Sequence, residues 1–209
     1  LAVGDFNGDT FVAFTDISGF KEMMKGDGQK AIRALDKLNR AGFHALQRKP
    51  EVNGFFVSDC GILFVKDDTL SKNAKLSVML EVIQNINRTL LNEDIMLTTS
   101  IAYGNFSYHS RIEFDGIEKN PIYGNAYVAA FLDNETGKPK MQPGQCRIVL
   151  GQDDNSLVSV NDRLVATTKH LNFYWMVDTF EQIEGFERQY NDSYQLKYRG
   201  MLSALKSNG

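Results

Sequence analysis

Cysteine is nearly absent: Cys60 and Cys146 are the two in a chain of 209 residues, far apart and outside any CxxC or Cys/His spacing. A disulfide framework and a zinc knuckle are therefore not expected, and a reducing, cytoplasmic setting is. No apolar run approaches the roughly 20 residues needed to span a bilayer, and the start of the chain lacks a basic-then-apolar leader pattern. Net basicity is lacking as well, with 23 Lys and Arg against 26 Asp and Glu and a formal charge of -3. Without a basic field, nucleic acid and anionic membranes are poor partners, although a local cationic pocket stays open. The three histidines, His44, His109 and His170, share no spacing that suits a metal or a triad. What is plentiful is ordinary core material: 43% hydrophobic and 23% charged residues, enough to bury one good core. With no repeat, low-complexity tract or clear linker, a single domain over 1–209 is expected, with a core over about 10–135 and an elaboration over about 140–209.

"TFVAFTD" (Thr10 to Asp16) reads as a strand. From Phe20 to about Gln47, the spacing of Ile32, Leu35, Leu38, Phe43 and Leu46 predicts a helix with those residues inward. "VNGFFVSDCGILFVKDD" (Val52 to Asp68) predicts a hairpin turning near Ser58 to Gly61. Leu76, Met79, Leu80, Ile83, Ile86 and Leu90 mark a second amphipathic helix. A strand follows over Ile95 to Gly104, continued by "FSYHSRIEF", and a third helix opens at "YGNAYVAAFLDNE" (Tyr123 to Glu135). This order is that of a ferredoxin-like βαββαβ core in an α+β fold. Extra C-terminal strands, "CRIVL" and "NFYWMV", and a helix from about Gln182 to Lys206 complete the chain, with Trp175 in the core.

Within that order Asp16 ends the first strand and Asp59 sits in the hairpin turn, and a ferredoxin-like sheet sets those two strands side by side. Hard cations such as Mg2+ bind through one or two carboxylates together with substrate phosphates, which is the ligand set such a pair offers. The plainer alternative is a turn Asp and a helix cap at Asp16 or Ser18, with Gly19 easing the backbone. Other features lose to structural readings. Asp5, Asn7 and Asp9 have calcium-loop spacing, but Thr10 stands where Gly is needed and Asp16 where a bidentate Glu belongs, so a solvated N-terminal turn is preferred to a calcium-binding adhesion fragment. Cys60 is taken as a buried hairpin residue, and Tyr190, Tyr194 and Tyr198 as a stripe packing on their own domain.

"FTDISGF" (Phe14 to Phe20) resembles the opening signature of class III nucleotidyl cyclase domains, Phe-x-Asp-Ile-x-Gly-Phe. "GFFVSDCGILFV" is similar to that family's second signature, a Gly-Asp pair at a hairpin tip; "TTSIAYGNF" resembles its GIHxG strand and "IYGNAYVAAFLD" its GxxVNxAARL segment. The similarity keeps the family's order from Thr10 to Asp133. The resemblance implies that Asp16, the Ile17 carbonyl and Asp59 hold two ions, Mg2+ or Mn2+, and that the N–H groups of Ser18, Gly19 and Phe20 cradle the phosphates of a nucleoside triphosphate. It also implies a homodimer with active sites at the interface, where the Asp16 and Asp59 side of one protomer meets the Tyr123 to Leu132 side of the other.

Departures from the family pattern bear on the base. Phe55 stands where adenylyl cyclases carry an adenine-binding Lys, and Pro121 where an Asp completes adenine recognition. The transition-state Asn and Arg fall near Tyr127 or Val128 and near Phe131 or Leu132; Asn125 is a candidate substitute for the Asn, and Arg111 or Lys119 for the cation. With Ser58 and Phe55 counted as nucleotide-facing, the chain resembles the compact pyrimidine cyclases of bacterial Pycsar antiphage defence, which make cyclic UMP or CMP from UTP or CTP for a downstream effector. A degenerate nucleotide-binding scaffold and a purine cyclase are the alternatives. Retention of both carboxylates favours turnover, since such a pair repels itself unless a cation is present.

Overall fold

The longest run of buried residues among those described, Thr10 to Thr15, is apolar or small on both strand faces, which suits a central strand covered on two sides. In the computed structural model, which describes residues 4–26, 28–109, 111–114, 117–119, 121–151 and 154–209 (backbone alone for 111–114, 117–119 and 155), it lies in β1 (Phe6–Ile17). The elements that follow are α1 (Phe20–Gly26), α2 (Gly28–Arg48), β2 (Val52–Val57), β3 (Cys60–Val65), α3 (Lys72–Leu91) and β4 (Leu97–Tyr108). β1 pairs antiparallel with both β3 and β4, giving the order β2-β3-β1-β4 that the ferredoxin-like reading requires. Next come β5 (Arg111–Phe114), β6 (Ile117–Lys119), β7 (Ile122–Tyr123), α4 (Asn125–Thr136), β8 (Cys146–Val149), β9 (Leu164–Ala166), β10 (His170–Phe173), α5 (Ile183–Tyr194) and α6 (Lys197–Lys206). β8 adds parallel to β4 and β10 antiparallel to β8, so the C-terminal strands extend the same sheet.

Two cores flank the sheet. Phe11, Ala13 and Ile17 of β1 face α2 and α3, whereas Val12 and Phe14 join Phe64, Phe106, Ala126 and Ala130 beneath α4. The six α3 positions expected inward are all buried. α2 departs from expectation in part: of its five expected inward residues Leu38 is buried and Leu35 and Leu46 pack partly buried against the core, but Ile32 is 52% and Phe43 51% exposed, and the rest of the inward face is built from Ala31, Ala34, Ala41, Gly42 and Ala45. Small residues win because the helix sits close to the sheet. A Cβ on Gly42 would lie 2.0 Å from the Phe56 ring.

Several boundaries also move. The solvated turn expected over Asp5 to Asp9 is instead strand: β1 begins at Phe6 and pairs with β4 through Asp9, and Asn7 Oδ1 accepts from Ser107, a geometry that is not a calcium loop either. "FSYHSRIEF" is not one strand: β4 stops at Tyr108, and β5 pairs with β6 in a separate ribbon. Only His170–Phe173 of the final strand region is paired, yet Trp175 is core as expected, 1% exposed with its indole N–H donating to the Gly144 carbonyl at 2.8 Å. The C-terminal helix breaks near Lys197, which takes φ 56°, and folds back as α5 and α6. Tyr190 and Tyr198 donate to the carbonyls of Pro143 and Asp94, while Tyr194 is half exposed.

One buried polar cluster fastens α4 to the elaboration. Arg147 of β8 makes a two-pronged ion pair with Asp133 of α4, both distances 2.8 Å, and also donates to the Pro139 carbonyl. Ser100 of β4 and His170 of β10 hydrogen-bond the same carboxylate. Burial alone would raise the Asp133 pKa, but the bonds from His170, Arg147 and Ser100 hold it well below the usual carboxylate range.

Candidate functional site

On the α4 face, the register places Val57, Cys60, Asp16 and Thr98 in one row across four strands. The next row along is Phe55, Ile62, Phe14 and Ser100. Val57 pairs with Cys60, so the hairpin turn consists of Ser58 and Asp59 alone. Ser58 takes φ 56°, the left-handed region that such turns demand and that Gly adopts more easily. The Ile17 N–H donates to the Asp59 carbonyl at 3.0 Å, tying the turn to the end of β1. As a result, ligand atoms of Asp16, Asp59 and Cys60 lie within 4.8 Å of one another.

The electrostatics of this corner are unfavourable to a bare carboxylate. Desolvation by burial raises the Asp16 pKa to about 6; a hydrogen bond from the Cys60 thiol, 3.2 Å from Oδ1, opposes that, and the negative charges of Asp59 and Glu135 add to it. The Cys60 thiol is itself pushed up by burial and by its bond to Asp16. Two partly exposed carboxylate side chains within one small space form a donor set that a hard divalent cation satisfies. The sign follows for stability. A carboxyl whose folded pKa lies above its unfolded value favours folding most below pH 4 and loses that contribution as the pH rises through about 6. Asp16→Asn is therefore expected to be more stable than the parent at pH 7 without divalent metal, by about 1 kcal/mol after allowance for solvent screening. The difference should vanish near pH 4, as read by urea unfolding; a variant less stable than the parent at pH 7 would contradict it.

The helix-start residues divide. Gly19 takes φ 79°, which turns the chain from β1 into α1 and which a Cβ would strain. Gly19 and Phe20 stand at the cap and first position of α1, where N–H groups have no intrahelical acceptor. The expectation for Ser18 needs correction: its N–H donates to the Met96 carbonyl at 2.9 Å, because the β1–β4 ladder continues one residue past Ile17. Ser18 Oγ is buried and has no hydrogen-bond partner among the described residues. Ile17 buries its side chain in the core, so only its backbone faces the corner.

Among the remaining expected residues, Phe55 lies on the same sheet face as Asp16, its ring 5.3 Å from that of Tyr108. Asn125 is not brought to the corner within one chain. It opens α4 and lies against Gly104, where a Cβ would come 2.3 Å from its Oδ1, whereas Glu135, near Asp16, lies about 15 Å farther along the helix. Arg111 lies in β5, and its side chain is outside the described residues. Three neighbours of the corner were missed. Cys60 follows directly once the turn is known to hold two residues, since its cross-strand partner is then Asp16. Glu135, and Asn134 with its bond from Thr98 Oγ1, had no signal in the sequence, because α4 reaches the corner only through tertiary packing.

No family profile and no curated protein matches the sequence. Solved structures do. The guanylyl cyclase Cya2 superposes with TM-score 0.54 at 12% identity, covering 81% of this chain and 92% of its own. The adenylyl cyclase CyaB from P. aeruginosa gives 0.53 at 14%, with 81% and 94% covered. The guanylate cyclase domain of RhGC from Catenaria anguillulae, solved with GTP, gives 0.55 at 12%, with 81% and 96% covered. At this identity the likeness is one of fold, and by its sheet order, its helices and these neighbours the chain has the fold of adenylyl and guanylyl cyclase catalytic domains.

Proposed function

We propose that the protein is a divalent-metal-dependent nucleotidyl cyclase, acting as a homodimer on UTP or CTP to make the 3',5'-cyclic monophosphate and pyrophosphate. The observation that carries this reading is the convergence of Asp16 and Asp59 at the end of β1 of a cyclase fold. Asp16, the Ile17 carbonyl and Asp59 are the ligands for the two ions, Mg2+ or Mn2+. When bound, such ions neutralise phosphate charge and lower the pKa of an attached hydroxyl. The chain's own part is positioning. The N–H groups of Gly19 and Phe20, beside Ser18, face the triphosphate, and Ser58 flanks it; Arg111 follows the end of β4 opposite to Asp16, so any contact it makes with the phosphates is across the dimer interface. The ribose 3'-oxygen bonds to the α-phosphorus, the bond from that phosphorus to the bridging oxygen breaks, the hydroxyl proton passes to solvent and pyrophosphate leaves.

The pyrimidine assignment rests on what is missing. Phe55 offers an apolar ring and Pro121 no side-chain donor or acceptor, so the usual purine hydrogen bonds have no partners at these positions. A smaller base then stacks near Phe55. The dimer reading draws on α4, whose outer side leaves Val128 48% and Leu132 49% exposed, with Val57 at 62% on the hairpin. A second protomer laid on α4 would cover these side chains, and Asn125 reaches a corner only across that interface. Such a product is a diffusible second messenger, read by a separate effector in antiphage defence in the cytoplasm. No described helix is long and apolar enough to cross a membrane.

The test is to incubate the purified protein with Mn2+ and each ribonucleoside triphosphate separately and identify products by mass, with light scattering to establish the dimer. Cyclic UMP or CMP is the expected product. Cyclic AMP or GMP would keep the cyclase and discard the pyrimidine and defence assignments, and no product from a verified dimer would leave a binding scaffold.

A further inference from the structure

The corner contains a ligand that Mg2+ chemistry does not call for. Cys60 Sγ lies 3.2 Å from Asp16 Oδ1, and both are within 4.8 Å of an Asp59 oxygen. In a tetrahedral zinc site, with metal–sulfur near 2.3 Å and metal–oxygen near 2.0 Å, sulfur and oxygen ligands stand about 3.5 Å apart. Asp16 and Cys60 are cross-strand partners and Asp59 is held by the Ile17 N–H, so all three backbones are fixed before any ion arrives. A hard cation in an all-oxygen site gains nothing from a thiolate, whereas thiolate ligands select zinc-like ions.

We propose that Asp16, Asp59 and Cys60 form a three-ligand site for a thiophilic divalent cation of the zinc class, with the fourth position open, and that such an ion regulates the corner by displacing Mn2+ or Mg2+. The proposal rests on the reading of Asp16 and Asp59 as metal ligands. On binding, the Cys60 S–H bond is exchanged for a sulfur–metal bond and the proton leaves to solvent. The thiol's hydrogen bond to Asp16 is given up, and the two groups become co-ligands. Cys60 is the thiol available for this role; Cys146 is only 3% exposed, in the core. Both the Irving–Williams order and the sulfur donor favour zinc over Mn2+ here.

The measurement is a Co2+ titration of reduced protein under anaerobic conditions, followed by absorption, with Mn2+ binding read separately by electron paramagnetic resonance. The parent protein is expected to give a sulfur-to-cobalt charge-transfer band with the intense visible bands of four-coordinate Co2+, both abolished by Zn2+. Cys60→Ser and Cys60→Ala should lose the charge-transfer band. They should also weaken Zn2+ displacement of Mn2+ by more than about tenfold, the loss that removal of even an outer-shell partner can cause. Circular dichroism establishes that each variant is folded. A six-coordinate Co2+ spectrum, or a band unchanged in Cys60→Ser, overturns the proposal while Mn2+ binding keeps the parent reading. Failure of the parent protein to bind either Mn2+ or Co2+ overturns both.

Discussion

On the proposed cyclase reading, Asp59→Ala, and separately Asp16→Ala, is expected to lower turnover by about 10³-fold or more, because each removes one of the two carboxylates that would hold the charge-neutralising ions. The loss should fall on kcat rather than on folding. Asp59 sits in a two-residue turn held by backbone bonds that its side chain does not make. Asp16 is a half-buried carboxylate whose ionised form is unfavourable in the absence of metal, so its removal relieves desolvation rather than breaking a stabilising pair. Steady-state rates with Mn2+ and the productive nucleotide, beside thermal unfolding of each variant, separate the two effects. Turnover within tenfold of the parent for either variant would remove that residue from the metal set.

The second large effect is on stability. Asp133→Ala should cost about 3–5 kcal/mol, since it leaves the Arg147 guanidinium buried without its counter-charge. Ser100 and His170 lose their acceptor in the same step. For a chain of this size that corresponds to a fall in Tm of about 10 °C. The pH dependence runs opposite to that of Asp16. A carboxylate held below its unfolded pKa contributes stability above about pH 4 and gives it up as the pH falls further. The parent is therefore expected to lose stability in acid while Asp133→Ala loses less, and urea unfolding at pH 7 and pH 3 tests both statements. A cost under about 1 kcal/mol at pH 7 would mean that the cluster is dispensable.

Sequence and structure agree most closely where the information is local. The Ser58-Asp59 turn, the α3 stripe and the β1-turn-α1 corner each depend on neighbours a few residues apart, and periodicity or turn chemistry reports them directly. α2 misled at Ile32 and Phe43, which follow helical spacing but point outward, because the close approach to the sheet is filled largely by Ala and Gly beside Leu38. The C-terminal helix misled because an amphipathic pattern runs through the break at Lys197, where α6 folds back on α5.

The amino-acid order by itself determined the βαββαβ succession, the resemblance to class III cyclases and the two carboxylates at the ends of neighbouring strands, all products of short-range pattern and one pairing rule. The tertiary structure alone decided what surrounds those carboxylates. Register set Cys60 against Asp16, the ladder took the Ser18 N–H, and α4 delivered Glu135 to the corner while leaving Asn125 at its far end. Burial and charge at a point are sums over groups distant in the chain, which is why the raised pKa of Asp16 and the depressed pKa of Asp133 emerge only once the sheet and α4 are in place.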